Sequence, residues 1–136
     1  MSRSDHNYQI RVFYEDTDAG GIVYYANYLK FFERGRTEWL RALGINQSIL
    51  LEQNIGFVVL KVEMDNIASA KLDDLLNVNT EISHLKTASV VFSQKITNQK
   101  HQLLASLIVR VACIKSREGK PCGIPKAILG VFKSVS

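Results

Sequence analysis

Two hydrophobic periodicities divide the sequence. Residues 8–14 alternate and are rich in aromatic and β-branched side chains, which predicts a first strand. From about Ala26 the apolar positions recur three or four residues apart as far as Gly44. This spacing predicts one long helix that ends at a glycine, because glycine suits the left-handed conformation after a helix end. A shorter helical turn is predicted over residues 48–53.

The second half of the chain changes to a period of two. Alternation of this kind predicts long, half-buried strands joined by short polar connections of the hairpin type. In the first of these strands, Val58, Leu60, Val62 and Met64 are predicted to share one face. A final helix is predicted over residues 125–133. The four predicted strands cover residues 57–67, 75–84, 88–97 and 103–114.

This order of elements predicts a two-layer α+β fold. An antiparallel sheet wrapped around one long helix buries the apolar surface of both elements. The chain has 136 residues and shows no internal repeat and no linker, so we expect a single domain over residues 1–136.

Composition narrows the class of protein. Hydrophobic residues make up 46% and charged residues 22%, as in an ordinary soluble globular protein. The net charge of +4 suits a protein that handles anionic ligands, although an incidental bias gives the same value. The sequence contains no run of five basic residues and no basic stripe interleaved with aromatic residues. We therefore expect no nucleic acid as a partner.

The chain is predicted to be cytoplasmic, with no integral membrane segment. Its polar start has no apolar stretch typical of a secretory signal, and no segment approaches the roughly 18 apolar residues that span a bilayer. Cys113 and Cys122 lack the spacing of a zinc site or a redox pair, so both are expected to be reduced, with Cys113 buried. The three histidines show no ligand spacing, and we expect neither a metal nor a cofactor.

The segment between the first strand and the long helix concentrates polar chemistry. Glu15, Asp16 and Asp18 precede Gly20 and Gly21, and a helix start follows. Glycines permit tight turns and close approach of the backbone to a ligand. A helix N-terminus can hold an oxyanion, and a carboxylate beside it can attack a carbonyl or activate water. Ordinary helix caps have the same composition, so these residues alone leave both interpretations open.

The same segment resembles the signature of the 4-hydroxybenzoyl-CoA thioesterase family. A longer match over residues 11–24, 31–38 and 72–74 is similar to the Tol-Pal-associated, YbgC-like branch, and the resemblance covers roughly residues 8–132. It implies a hotdog fold, in which a five- to six-stranded antiparallel sheet wraps a long central helix. It also implies hydrolysis of an acyl-CoA thioester to a free acid and CoA. The signature residues are Arg11-Val12, Thr17-Asp18, Gly21-Ile22-Val23 and Tyr28.

The resemblance implies roles for individual residues. Asp18 matches the family's catalytic carboxylate, which acts either as a nucleophile that gives a mixed anhydride or as a general base for water. The backbone N–H of Tyr25 matches the oxyanion donor, and Gly20 and Gly21 would let the substrate approach. Lys86 lies where relatives offer a basic residue to the phosphates of CoA, although a solvated lysine in a turn fits the sequence equally well. Many members of the branch have His where this chain has Tyr25, so the choice between aromatic and aliphatic acyl groups stays open.

The resemblance also implies an assembly, since the family's sites lie between subunits. We expect a homodimer or a homotetramer, with Phe57, Val58 and Val59 lining the acyl pocket of the neighbouring subunit unless they simply pack in the core. One alternative is an enzyme that acts on acyl groups carried by acyl carrier protein. Another is a module that binds acyl-CoA, acyl carrier protein or the Tol-Pal or phospholipid-synthesis machinery without turnover. The Asp18 loop favours hydrolysis over both non-catalytic readings.

Overall fold

The computed structural model describes residues 5–136. The first four residues, part of the polar start on which the expectation of no secretory signal rests, lie outside this range. Within it, no helix is long and apolar enough to cross a membrane. The elements in chain order are β1 (Asp5–Arg11), α1 (Asn27–Ala42), α2 (Gln47–Glu52), β2 (Ile55–Asn66), β3 (Leu75–Leu85), β4 (Ser89–Thr97), β5 (Leu103–Lys115), β6 (Lys120–Pro121) and α3 (Lys126–Val135).

The strands form one antiparallel sheet in the order β1-β3-β4-β5-β2, and β6 pairs with the end of β5. Helix α1 packs on the inner face of the sheet, against β1, β3 and β4. The α+β class and the hotdog arrangement of a long helix and a wrapped sheet are therefore confirmed. The strand count also agrees, because β6 adds a short sixth strand to five long ones.

The core lies between α1 and the inner face of the sheet. The strand alternation predicted for β3, β4 and β5 is confirmed, because the residues assigned to one face of each are buried there. Helix α1 contributes large aromatic side chains from the opposite side. The buried α1 residues are Tyr28, Phe31, Phe32, Gly35, Trp39 and Leu40.

Gly35 sets the distance between α1 and the sheet. A Cβ atom at this position would lie 2.5 Å from Cγ1 of Val78 on β3 and 3.3 Å from Oγ1 of Thr80. The helix backbone therefore sits directly on the strand, at a separation that no other residue type permits. This contact fixes the distance between β3 and helix α1, whose N-terminus follows the loop that contains Asp18.

The first strand and the long helix differ slightly from their predicted bounds. Strand β1 ends at Arg11 rather than Tyr14, because the chain enters a 3₁₀ turn over Tyr14–Asp16. The carboxylate of Asp16 accepts a hydrogen bond from the N–H of Phe13 at 2.8 Å and closes this turn. At the other end of α1, Gly44 adopts a positive φ of 85°, as its predicted role after the helix requires.

Strand β2 departs furthest from the prediction. It lies at the edge of the sheet, and its register against β5 shifts between Val59 and Lys61, which makes Leu60 the extra residue of a β-bulge. Val59 and Val62 consequently face the same way, opposite buried valines of β5, whereas Val58 faces the other side. The prediction that Val58, Leu60 and Val62 share one face is wrong. So is the prediction of half-burial, since most of β2 is exposed.

Candidate active site

Asp18 lies at the start of a tight turn. Its N–H donates to the carbonyl of Ile22 at 2.9 Å, and its own carbonyl accepts from the N–H of Gly21 at 3.1 Å. A bridge between Thr17 and Val23 closes the base of this small hairpin. Gly21 has φ = 76°, the left-handed conformation that ends a three-residue hairpin loop. The glycine predicted to permit tight turning is thus required by the backbone itself.

The carboxylate of Asp18 is exposed and held on one side only. Its Oδ1 accepts a hydrogen bond from the N–H of Gly20 at 2.8 Å, and Oδ2 has no donor among residues 5–136. One oxygen therefore fixes the orientation of the side chain, and the other is left to meet a substrate or water. Asp16 has a different role, because its carboxylate is used within the preceding turn. Glu15 is exposed in the same turn.

The segment 67–74, between β2 and β3, supports the Asp18 turn from outside. The N–H of Val23 donates to the carbonyl of Ala70 at 2.9 Å, and the N–H of Leu72 donates to the carbonyl of Gly21 at 3.1 Å. A bridge also joins Ile22 to Lys71. The turn is thus one side of a short backbone ladder, and segment 67–74 is the other.

The hydroxyl of Tyr28 holds segment 67–74 against α1. It donates to the carbonyl of Ala68 at 3.1 Å and accepts from the N–H of Ala70 at 2.8 Å. Burial raises the pKa of the Tyr28 phenol, so the group stays protonated and keeps the donated bond. This role was not predicted, because a tyrosine on an apolar helical stripe looks the same as any core aromatic residue in sequence.

The motif at residues 72–74 is part of the same scaffold. The carboxylate of Asp74 accepts the N–H of Lys71 at 2.9 Å and the side-chain amide of Gln99 at 3.0 Å. Arg11 donates to the carbonyl of Asp73 at 2.8 Å. The Asp74 carboxylate and the Asp73 backbone carbonyl therefore shape the segment behind the Asp18 turn.

The N-terminus of α1 is open beside the turn. Ala26 occupies the cap position and offers no side-chain acceptor, and the first bonds run from the N–H of Asn27 to Tyr24 and from that of Tyr28 to Tyr25. The N–H of Tyr25 has no acceptor in the part of the chain that the structure describes. The side-chain amide of Asn27 donates to the carbonyl of Asp16 at 2.9 Å and ties the helix start to the turn.

A cavity of about 180 Å³ lies further along α1, between the helix and the inner face of β2, β4 and β5. Arg36 enters it and donates to Oε1 of Gln94 at 2.9 Å, and Gln94 is held in turn by the carbonyl of Phe32 and the hydroxyl of Thr80. Burial lowers the pKa of Arg36, and nearby Glu33 opposes this shift. The lining residues are Glu33, Arg36, Thr37, Leu40, Gln47, Phe57, Val59, Val90, Phe92, Val111 and Phe132.

The two valines with a predicted role in the pocket are separated. Val59 lines the cavity, whereas Val58 faces the opposite side of β2 and lines a groove with α2. Consecutive residues of a strand face opposite sides of the sheet, so Val58 and Val59 cannot line the same pocket, and the bulge at Leu60 places Val62 on the side of Val59. A site composed within one chain would therefore use Val59 alone.

Lys86 lies at the opposite end of the sheet from Asp18. It occupies the turn between β3 and β4, where its N–H donates to the carbonyl of Ser89 at 2.9 Å. Strand β3 begins beside the Asp18 turn and has 11 residues, so Lys86 lies roughly 35 Å further along the strand. Arg110, His84 and Lys86 together line a groove there. One chain thus brings together Asp18, Gly20, Gly21 and the N–H of Tyr25, but not Lys86.

Comparison with known proteins agrees with this architecture. The sequence model of the thioesterase-like superfamily matches residues 12–132. The chain is 46% identical over 133 residues to the acyl-CoA thioesterase YbgC of Haemophilus influenzae, with 97% of both chains covered. It is 42% identical over 133 residues to the acyl-CoA thioester hydrolase YbgC of Escherichia coli O6:H1, with 98% of this chain and 99% of that one covered.

A solved structure gives the same result. A probable thioesterase from Bartonella henselae is 40% identical and superposes with a TM-score of 0.83, covering 89% of this chain and 99% of its own. The expected resemblance to hotdog thioesterases of the YbgC-like branch is confirmed. The chain therefore belongs to the thioesterase-like superfamily, among relatives that are acyl-CoA thioesterases.

Proposed function

We propose that this protein hydrolyses an acyl-CoA thioester to a free acid and CoA, with Asp18 as the catalytic carboxylate. The proposal rests on two neighbouring groups, a carboxylate with one oxygen left unbonded and a backbone N–H at the start of α1 that has no acceptor within residues 5–136. Oδ1 of Asp18 is held by Gly20, whereas Oδ2 and the N–H of Tyr25 have no partners within residues 5–136. Membership of a thioesterase superfamily supports the same reaction.

The proposed chemistry takes one of two routes. Asp18 either attacks the thioester carbonyl and forms a mixed anhydride, or removes a proton from the water that attacks it. In both routes negative charge develops on the carbonyl oxygen. The N–H of Tyr25 would stabilise this charge, an effect worth about 3–4 kcal/mol for one donor. The C–S bond then breaks and the CoA sulfur takes up a proton. In the nucleophilic route a water molecule then attacks the mixed anhydride, the C–O bond to Asp18 breaks, and the free acid and the Asp18 carboxylate are released.

The exposed edge of β2 supports a homodimer. Within residues 5–136 the outer edge of the strand pairs with no other strand, and Val59, Leu60 and Val62 are exposed at 50%, 59% and 41%. A long apolar edge of this kind is an aggregation hazard unless another strand covers it. Antiparallel pairing of two β2 strands about a two-fold axis would continue the sheet across both subunits and cover this edge.

Such a dimer would complete the site. Two-fold pairing centred on β2 sets the Ile55 end of one strand beside the Asn66 end of the other. The Asn66 end leads into segment 67–74 and the Asp18 turn, whereas the Ile55 end carries the cavity wall at Phe57 and Val59. The partner's cavity and the partner's Lys86 would then lie at the same end of the continuous sheet as Asp18. We propose that Asp18 acts on a thioester whose CoA phosphates and acyl group are held by the partner.

The volume and lining of the cavity indicate which acyl groups could fit there. At about 180 Å³ it is smaller than the roughly 300–1,000 Å³ of pockets for larger ligands. Its lining is mostly apolar, with Arg36, Glu33 and Thr37 on one wall. This favours a short acyl chain or a single ring with a polar substituent over a long chain. A cytoplasmic location and acyl carrier protein as an alternative acyl donor remain predictions.

Release of CoA tests the reaction. Acetyl-, butyryl-, palmitoyl- and 4-hydroxybenzoyl-CoA are offered to the wild type and to Asp18→Asn. We expect turnover of the short or aromatic substrates and a loss of about two orders of magnitude or more in kcat for Asp18→Asn. The role of Asp18 is refuted if the wild type releases no CoA from any of the four substrates, or if Asp18→Asn is as active as the wild type. Saturable acyl-CoA binding without turnover would then identify a binding module.

Subunit complementation tests the shared site. Asp18→Asn and Lys86→Glu chains are mixed, unfolded and refolded together, and kcat/KM is measured. If each site combines Asp18 of one chain with Lys86 of the other, a mixed dimer contains one intact site and activity returns above that of either variant alone. If each site lies within one chain, every site in the mixture keeps one defect and no activity returns. Analytical ultracentrifugation of both variants checks that they still assemble.

A further inference from the structure

Cys113 and Cys122 form a cross-strand pair near the end of β5. Strand β6 pairs with β5 so that Ile114 lies opposite Pro121, and the next pair in this register is Cys113 and Cys122. The N–H of Cys122 donates to the carbonyl of Cys113 at 3.0 Å. The two Sγ atoms lie 3.5 Å apart, within hydrogen-bonding distance of each other. The backbone therefore already holds the two sulfur atoms side by side.

The two thiols differ in their surroundings. Cys113 is fully buried on the inner face of β5, whereas Cys122 is part-exposed. Burial raises the pKa of the Cys113 thiol to about 12, and the hydrogen bond and charge of Cys122 add to the shift. Cys113 is therefore a poor first nucleophile, because the thiolate is the reactive form of cysteine. Cys122 is the sulfur that a reagent from solution can reach, and the buried thiol behind it is placed to react with an oxidised Cys122.

We propose that Cys113 and Cys122 are a site of reversible oxidation, at which a hydroperoxide converts the two thiols into an intramolecular disulfide. The sulfur of Cys122 attacks the peroxide, an S–O bond forms, the O–O bond breaks and water or an alcohol leaves. The sulfur of Cys113 then attacks that of Cys122, an S–S bond forms, the S–O bond breaks and a second water leaves with the thiol proton. Two electrons pass from the sulfur atoms to the peroxide.

The disulfide would join two parts of the chain that meet near the β3–β4 turn. The N–H of Cys113 donates to the carbonyl of Ala88, and the N–H of Ile124 donates to the carbonyl of Thr87. Oxidation would thus fix the hairpin that leads into α3 against the turn that contains Lys86. The proposal rests on the geometry of the thiols alone and stands whether or not Asp18 is catalytic.

Intact-mass and peptide-mapping measurements test the proposal on the full chain treated with hydrogen peroxide. We expect the wild type to lose two hydrogen atoms, to yield a peptide linked through Cys113 and Cys122, and to recover its mass with a dithiol reductant. The midpoint of thermal unfolding should rise on oxidation and return on reduction, because a cross-link restricts the unfolded chain.

Two variants assign the roles. Cys122→Ser leaves only the buried thiol, so its oxidation should be at least about tenfold slower than that of the wild type. Cys113→Ala leaves Cys122 without its partner, and a dimedone-type reagent should trap its sulfenic acid. Three results would overturn the proposal. They are uptake of oxygen atoms instead of loss of hydrogen by the wild type, cross-links between chains instead of within one, and retention of both thiols in excess peroxide.

Discussion

Substitution of Gly35 by Ala sets two energies of opposite sign against each other. Alanine is the better helix former, by about 1 kcal/mol in a helix interior, so propensity alone predicts stabilisation. The added Cβ, however, would lie 2.5 Å from Cγ1 of Val78, far inside the 3.4–4 Å of ordinary contact. The sign of the change in unfolding free energy therefore shows which effect dominates.

The structure indicates that the steric clash outweighs the gain in helix propensity. Val78 is fully buried, and its β-branched side chain has few rotamers with which to withdraw. Overpacking of this kind costs about 1–3 kcal/mol. With the gain in helix propensity subtracted, we expect Gly35→Ala to lose up to about 2 kcal/mol of stability. A shift of α1 would also carry the N–H of Tyr25 away from Asp18, so activity should fall with stability.

Urea unfolding followed by circular dichroism, at one protein concentration, measures the change. Gly130→Ala is the matched control, because Gly130 lies in helix α3 and an added Cβ would meet no atom of residues 5–136 within 4 Å apart from its chain neighbours and its own helix backbone. It should gain up to about 1 kcal/mol. A combined Gly35→Ala and Val78→Ala variant should cost less than the sum of the two single changes, by about 1 kcal/mol or more.

Stabilisation of Gly35→Ala equal to that of Gly130→Ala would refute the reasoning. It would mean that α1 does not rest on β3 at this point. Simple additivity with Val78→Ala would lead to the same conclusion.

Other changes test the supports of the site. Tyr28→Phe should cost about 1–3 kcal/mol and lower activity, because it leaves a buried backbone N–H without its acceptor, whereas Tyr8→Phe in the same assay should have little effect. Gly21→Ala and Gly119→Ala should each lose about 1–2 kcal/mol, since both have positive φ, but only Gly21→Ala should impair hydrolysis. Stability should fall as pH rises from about 9 towards 12, because the unfolded chain loses the Cys113 proton at lower pH than the folded one; Cys113→Ala should flatten this slope in unfolding curves.

The elements that could be predicted from sequence are those buried on one side. Leu76, Val78, Phe92 and Val109 follow the alternation of their strands, since one face of each strand packs on the core. The long helix was equally clear, because its apolar stripe and Gly44 mark both its face and its end. The density of acids and glycines marks the loop that contains Asp18, but only the family resemblance singles out Asp18 within it.

What the sequence could not show depends on residues far apart in the chain. The bulge at Leu60 exists only relative to β5, so the alternation of β2 alone gives the wrong face for Val58. The spacing of Cys113 and Cys122 in sequence is not that of a redox pair. Only the β5–β6 register brings their sulfur atoms together. The length of β3 separates Lys86 from Asp18 within one chain, so a site that contains both needs a second subunit, and the sequence alone does not give its position.

The hydroxyl of Tyr28 has a consequence for how the protein acquires its site. Its two hydrogen bonds join residues 40 and 42 positions apart, and the backbone ladder around Gly21 reaches across a similar length of chain. A peptide that contained only the first strand, the turn and the helix would lack the partners that hold Asp18. The Asp18 turn is therefore held by contacts between residues far apart in the chain, and its geometry forms only when β2 and β3 dock during refolding. Recovery of hydrolysis should lag behind recovery of helix, since helical contacts are local and those of the turn are not.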